Sequence, residues 1–181
     1  PEPCVATIGF FDGVHMGHRY LIQQVKEIAA AKGLRSALVT FPVHPRKVMN
    51  AAYNPELLTT PEEKTNLLAG TGVDYCLMLD FTPDISRLTA KEFMTQILKE
   101  RYQVKYLVIG YDHRFGHNRS EGFDDYVRYG QAIGIEVIRA QAYTDDIQID
   151  TTQSAPVSSS LIRKLLHQGD VDAAARWLGY E

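Results

Sequence analysis

At 181 residues, with 45% hydrophobic and 23% charged side chains, the chain has the size and composition of one globular domain and excludes a disordered or fibrous protein. A formal net charge of −3 argues against an extended nucleic-acid surface, which needs a basic excess. Only Cys4 and Cys76 are present, which excludes a disulfide scaffold; no apolar run is long enough for a bilayer and no charged-then-apolar leader opens the chain, so no membrane partner and a cytoplasmic location are expected.

The first predicted element is a β-branched run at 5–8, followed by helical spacing across 17–32. There Leu21, Ile22, Val25, Ile28 and Ala29 share a face, and Gly33 closes the helix as a C-terminal cap. A second strand is expected at 35–41. Thr60-Pro61-Glu62-Glu63 then opens a helix as a capping box with proline in the first turn, and Gly72 ends it. A third strand is expected at 75–79. Thr89 and Glu92 form a second capping box, starting a helix that runs to about Tyr102. A strand at 106–109, a helix at 123–133 and a strand at 136–138 follow, with two tail helices near 159–167 and 171–178. This alternation predicts an α/β fold: a Rossmann-like parallel sheet of about five to six strands with helices on both faces. Residues 1–181 read as one domain, beginning at Pro1 and stopping at LGYE as though excised from a larger protein.

Ligands in such folds bind beyond the carboxyl ends of the strands, so the loops there are where chemistry is expected. After the first strand comes Gly9-Phe10-Phe11-Asp12-Gly13-Val14-His15-Met16-Gly17-His18. Its glycines allow tight turns and close approach of a ligand. Gly17 and His18 fall where a helix begins, and its free N–H groups and positive dipole end face outward. His15 and His18, three apart, can present both imidazoles to an anion there. A plain glycine-rich turn with exposed histidines is the competing reading; neither GxxxxGK[ST] nor GxGxxG is present.

The second loop, Thr40-Phe41-Pro42-Val43-His44-Pro45-Arg46, is stiffened by two prolines. The fourth, Gly110-Tyr111-Asp112-His113-Arg114-Phe115-Gly116-His117-Asn118-Arg119, is dense in charge for a structural turn. The His113/His117 spacing resembles half a zinc site, but no cysteine pair completes it, and no protein metal site is expected. Near the end, Val157-Ser158-Ser159-Ser160-Leu161-Ile162-Arg163 offers serine caps and an arginine one turn into a helix. It suits a cap and a polyphosphate contact alike. Of the six histidines, His15, His18, His44, His113 and His117 lie in these loops and only His167 lies elsewhere, a clustering that points to one phosphate-rich site.

GFFDGVHMGH resembles the HxGH signature of the nucleotidylyltransferase superfamily. In its longer form, FDGVHxGH, it is similar to the FMN adenylyltransferase module of bacterial bifunctional riboflavin kinase/FAD synthetases. TFPVHPR resembles that family's TFxPHP loop, GYDHRFGHNR its GxDFRFGxxR segment, and VSSSLIR its SSTxIR motif. Ser160 stands where Thr is usual, keeping the hydroxyl, and His113 where Phe is usual.

The resemblance covers essentially the whole chain. It implies transfer of AMP from ATP to FMN, giving FAD and pyrophosphate, with Mg2+ bridging the phosphates. It also implies a covalently linked riboflavin kinase domain in the parent protein, expected after the LGYE end and so absent from these residues. By the same resemblance, His15, His18 and Arg163 are the catalytic candidates. Gly9, Phe10, Gly17, Asp112, Arg114, Ser159 and Ser160 are expected on the ATP side, and Phe11, Asp12, His44, Arg46 and Arg119 on the FMN side. The alternatives are a non-catalytic flavin- or nucleotide-binding module of the same fold, or another HxGH nucleotidylyltransferase. The polar segment 142–155, without strong periodicity and just before VSSSLIR, has a composition and position compatible with a flap, and the sequence does not decide whether it is one.

Overall fold

The run Cys-Val-Ala-Thr-Ile has no polar alternation, as suits a strand covered on both faces, and the structure puts it at the centre of the sheet with all five residues buried. The structure, a computed structural model, describes residues 2–42, 57–110, 122–141 and, in the tail, 162, 163, 166–169, 174, 175 and 178. Five parallel strands, Cys4–Ile8 (β1), Arg35–Thr40 (β2), Tyr75–Met78 (β3), Val104–Ile109 (β4) and Glu136–Arg139 (β5), lie in the order β3-β2-β1-β4-β5. The expected strands are therefore present among the described residues, each bound within about two residues of its expectation.

The period-two alternation of β1 divides the core. Cys4, Ala6 and Ile8 pack with Ala37, Val39, Leu107 and Ile109 beneath Phe93, Met94, Leu98 and Tyr126. Val5 faces the other way, against Val25, Ala29 and Val108, and beside it Leu38 meets Ile22 and Leu68. Helices thus cover both faces.

Met16–Lys32 (α1) buries Ile22, Val25 and Ala29 on one stripe. It ends as expected at Gly33, whose φ of 67° lets the Leu34 N–H return to the Ala29 carbonyl at 2.9 Å. Pro61–Ala69 (α2) has the expected reciprocal box, Thr60 with Glu63, but stops at Gly70. Gly72, expected to end it, instead takes a φ of 81° in the turn toward β3. Pro83–Ser86 (α3), capped by Thr82, was not anticipated.

Ala90–Phe93 (α4) starts at the expected Thr89/Glu92 box but runs on as a π-helix, Met94–Arg101, where a single α-helix was expected. The Thr95 hydroxyl donates to the Lys91 carbonyl at 2.8 Å, a side-chain competitor at the point where the ladder changes register. Phe123–Ile133 (α5) forms as expected. In the tail, Ile162, Arg163, Leu166, His167, Ala174, Ala175 and Leu178 are helical. The segment 142–155 lies outside the described residues.

The chain lays β1, β2 and β3 outward on one side, then crosses to place β4 on the other side of β1. The carboxyl ends of β1 and β4 are therefore the topological switch point, the crevice where such sheets take ligands.

Candidate active site

Beyond Ile8 the chain leaves the sheet through Gly9, whose N–H donates to the Val39 carbonyl at 3.0 Å. A Cβ on Gly9 would sit 3.2 Å from the Phe11 ring, so the close turn depends on its absence. The loop then crosses the left-handed region three times in four residues, at Phe11 (φ 58°), Gly13 (φ 82°) and Val14 (φ 42°). A β-branched residue there is strained, and such strain persists only where the surroundings over-determine it.

The surroundings do so here. Phe11 and Val14 are buried with Ile22, Leu38 and Leu68. The buried Asp12 carboxylate accepts the Leu58 N–H at 2.9 and 3.0 Å and the Thr59 N–H at 3.2 Å, and the Thr59 hydroxyl accepts the Gly13 N–H at 3.2 Å. Asp12 also takes the guanidinium of Arg163, which brings the tail helix against this loop across 151 positions of sequence. Phe11 and Asp12, expected on the FMN side, therefore turn their side chains into the protein instead.

A short 3-10 turn, Asp12–Val14, delivers the chain to α1. His15 is the N-cap: its Nδ1 accepts the His18 N–H at 3.2 Å, while the Nδ1 of His18 accepts the His15 N–H at 3.3 Å. The rings stack with centroids 3.5 Å apart, and the Phe11 ring meets His18 edge-on at 5.3 Å. Because each Nδ1 is an acceptor, the proton of each neutral ring resides on Nε2. Among the described residues neither Nε2 has a protein partner, so both remain as donors.

Burial pushes His15 down to about 4, against the opposing pull of Asp12. Burial pushes His18 well below its ordinary range, helped by His15 and Lys64. The pair is therefore neutral near pH 7, and what it offers a ligand is hydrogen-bond donation rather than charge. By helix geometry the N–H groups of Met16 and Gly17 have no intrahelical acceptor, so a phosphate at this terminus meets backbone donors, the helix dipole and two imidazole N–H groups together.

Lys64 was not among the sequence candidates. It is 2% exposed, and its Nζ donates to the carbonyls of Phe10 at 2.9 Å and Phe41 at 2.7 Å, 3.8 Å from the Phe10 ring centroid. Thr40 Oγ1 joins at the same Phe10 carbonyl, 3.1 Å away. The sequence does carry a signal: Lys64 shares the stripe of Leu67 and Leu68 at i, i+3 and i+4, where a polar residue is out of place. Of the expected site residues, the structure brings Gly9, Phe10, Phe11, Asp12, His15, Gly17, His18 and Arg163 to one end of the sheet. His44, Arg46, Asp112, Arg114, Arg119, Ser159 and Ser160 lie outside the described residues.

A switch-point crevice beside a helix terminus lined with neutral donors defines the class: an α/β fold of the kind that receives nucleotide phosphates. Within that class the chain belongs to the FAD synthetase family, whose family model matches residues 1–155.

Similar proteins include the bifunctional riboflavin kinase/FMN adenylyltransferase of Listeria monocytogenes, 34% identical over 177 residues, covering 97% of this chain and 54% of that protein. Those of Escherichia coli (32% over 179 residues, 99% and 55%) and Pseudomonas fluorescens (35% over 176 residues, 97% and 54%) match to the same extent. The chain thus spans about half the length of these relatives. The crystal structure of a macrolide-efflux protein from Streptococcus pneumoniae superposes with a TM-score of 0.83 at 28% identity, covering 99% of this chain and 65% of that one. No helix among the described residues here is long and apolar enough to cross a membrane.

Proposed function

We propose that this chain transfers the adenylyl group of ATP to the phosphate of FMN, releasing pyrophosphate and forming FAD. The observation that carries the reading is the reciprocal His15/His18 cap, which leaves two neutral Nε2–H donors beside the open terminus of α1. An FMN phosphate oxygen attacks the α-phosphorus of ATP, the new P–O bond forms, and the bond to the β-phosphate oxygen breaks. That phosphate is largely ionised near neutral pH, its second pKa being about 6, so no general base is required. What remains is in-line positioning and stabilisation of charge on the α-phosphate and on the departing pyrophosphate.

His18 and His15 donate to the phosphate oxygens, and Gly17 keeps the backbone of the helix terminus open to them. Gly9 and Phe10 line the start of the same loop on the ATP side. Arg163, held by Asp12, is assigned with Ser159 and Ser160 to the β and γ phosphates, and Asp112 and Arg114 are assigned to the nucleotide side. His44, Arg46 and Arg119 are assigned to the flavin. Phe11 and Asp12 support the loop rather than touch FMN. ATP enters as its magnesium complex, the metal held by phosphates and water; no residue of this chain is assigned to it. A riboflavin kinase linked in a longer parent protein would supply FMN, and the cytoplasm is the proposed compartment.

The test is to incubate the chain with FMN, ATP and magnesium and to separate the flavins by chromatography, with riboflavin replacing FMN in a parallel tube. FAD and pyrophosphate from FMN, with riboflavin unchanged, is the expected result. Absence of FAD under saturating substrates would overturn the reading.

A further inference from the structure

A lysine ammonium buried on the apolar stripe of a helix is an unfavourable choice where a leucine or methionine would pack, unless the charge has a use. Among the described residues no carboxylate lies within ion-pair distance of Lys64; its partners are two carbonyls and a ring face. Those carbonyls belong to Phe10 and Phe41, just past the carboxyl ends of β1 and β2. The ladder between the strands ends with the Gly9 N–H on Val39. Lys64 takes over where the ladder stops and the two chains part toward the site.

The segment that leads into the helix carrying Lys64 is fastened to the same loop, where the Leu58 and Thr59 N–H groups hold the Asp12 carboxylate. The loop that leads to His15 and α1 is therefore fixed at two points, to the lead-in of α2 through the Asp12 carboxylate and to α2 itself through the Lys64 ammonium. The ammonium is also close enough to His18 to weigh against a second positive charge there.

Resting on the adenylyltransferase reading, we propose that Lys64 is a positioning residue for the transfer. By clamping the Phe10 and Phe41 carbonyls it fixes the loop that leads to the histidine pair, and its charge adds to the burial that keeps His18 a neutral donor and gives positive potential behind the phosphates. Its charge state gives a readout that a purely structural role lacks. Burial pushes Lys64 down to about 8, against the opposing pull of Asp12 and Cys76. The groups that face it are Asp12 from the 3-10 turn, itself paired with Arg163; Cys76 from β3, a thiol that burial raises; and the neutral His18 from α1. The ammonium is present below about 8 and lost above it, so turnover should fall on the alkaline side with a midpoint near 8.

The experiment measures kcat and KM for FMN and ATP between pH 7 and 9 in the wild type, Lys64→Met, Lys64→Arg and Cys76→Ala, with thermal melts of each. The wild type is expected to lose turnover around pH 8. Cys76→Ala should keep the alkaline fall, its midpoint no higher than in the wild type because an upward pull on Lys64 is removed. Lys64→Met should have a kcat at least tenfold lower and flat across the range, and Lys64→Arg should recover part of the rate without the alkaline fall. A wild-type kcat that is flat from pH 7 to 9 overturns the inference even if Lys64→Met fails to fold. So does a folded Lys64→Met with wild-type kcat. A wild type that makes no FAD at any pH instead overturns the adenylyltransferase reading itself.

Discussion

Among the described residues three helices begin with a reciprocal side-chain cap, and one of them is built from different chemistry. At α2 and α4 the box is Thr with Glu: Thr60 with Glu63, and Thr89 with Glu92. At α1 it is His with His. The backbone geometry is equivalent, since each N-cap side chain accepts from the third residue and each third residue reaches back. The chemistry left over is opposite. A glutamate brings its negative charge to the positive end of the helix and so fills the place an anion would take. Two imidazoles whose Nδ1 atoms make the box carry no charge near pH 7 and keep an N–H on the far side of each ring. Two of the caps close a helix; the third leaves two ring N–H donors at its terminus.

The comparison breaks most directly at His18. His18→Ala is expected to lower FAD formation on the order of 10²-fold or more, the size of losing one donor to developing charge. Melting should fall only by about 1 kcal/mol for the lost half of the cap. Near-normal turnover in the folded variant would remove His18 from the mechanism.

Converting the open box into a closed one sharpens the same point. His15→Thr/His18→Glu should still fold, with α1 capped as α2 is. A carboxylate in the phosphate position should weaken ATP binding by roughly tenfold or more, like charges being opposed there. Calorimetric titration with ATP in the presence of magnesium checks this; undiminished affinity would place the nucleotide elsewhere.

The histidine box also has a pH signature that the threonine boxes lack. His15 is pushed down to about 4 by burial, so between about 6.5 and 4 the unfolded chain binds a proton that the folded one refuses. Stability is then complete above about 6.5 and declines as pH falls toward 4, by on the order of 2–3 kcal/mol. Urea melts at pH 6.5 and 4.5 should show this decline, and His15→Asn, which can still cap, should lose less over the same interval. The smallest effect belongs to a closed cap. Thr89→Ala should cost about 1 kcal/mol in a melt and leave the kinetics with FMN and ATP unchanged.

Most of the fold is local enough to be read in advance. The strands show as short apolar runs, Gly33 as a left-handed cap, and Thr60/Glu63 and Thr89/Glu92 as boxes, because each signal lies within a few residues of its effect. The π-helical continuation of α4 is not legible in the sequence, since its apolar spacing is that of an ordinary α-helix.

In the site, His15 and His18 stand out by spacing, whereas the supports do not. Asp12 reads as a ligand-side loop residue, and only folding shows Arg163 reaching it from 151 positions away; Lys64 shows in the sequence only as a polar residue on an apolar stripe, and its partner Phe10 is 54 positions distant. Phe10 and Phe11 are adjacent and alike in sequence. Only the turn of the backbone sends Phe11 into the core and leaves Phe10 half-buried beside Lys64.

The account rests on the histidine pair being a neutral, Nε2-protonated donor set, and nitrogen-15 NMR of the imidazole rings between pH 5 and 8 tests that directly. Both rings are predicted to show a bare Nδ1 and a protonated Nε2 throughout, with no titration near 6.5. A ring that charges in that range, or one that carries its proton on Nδ1, would contradict the account.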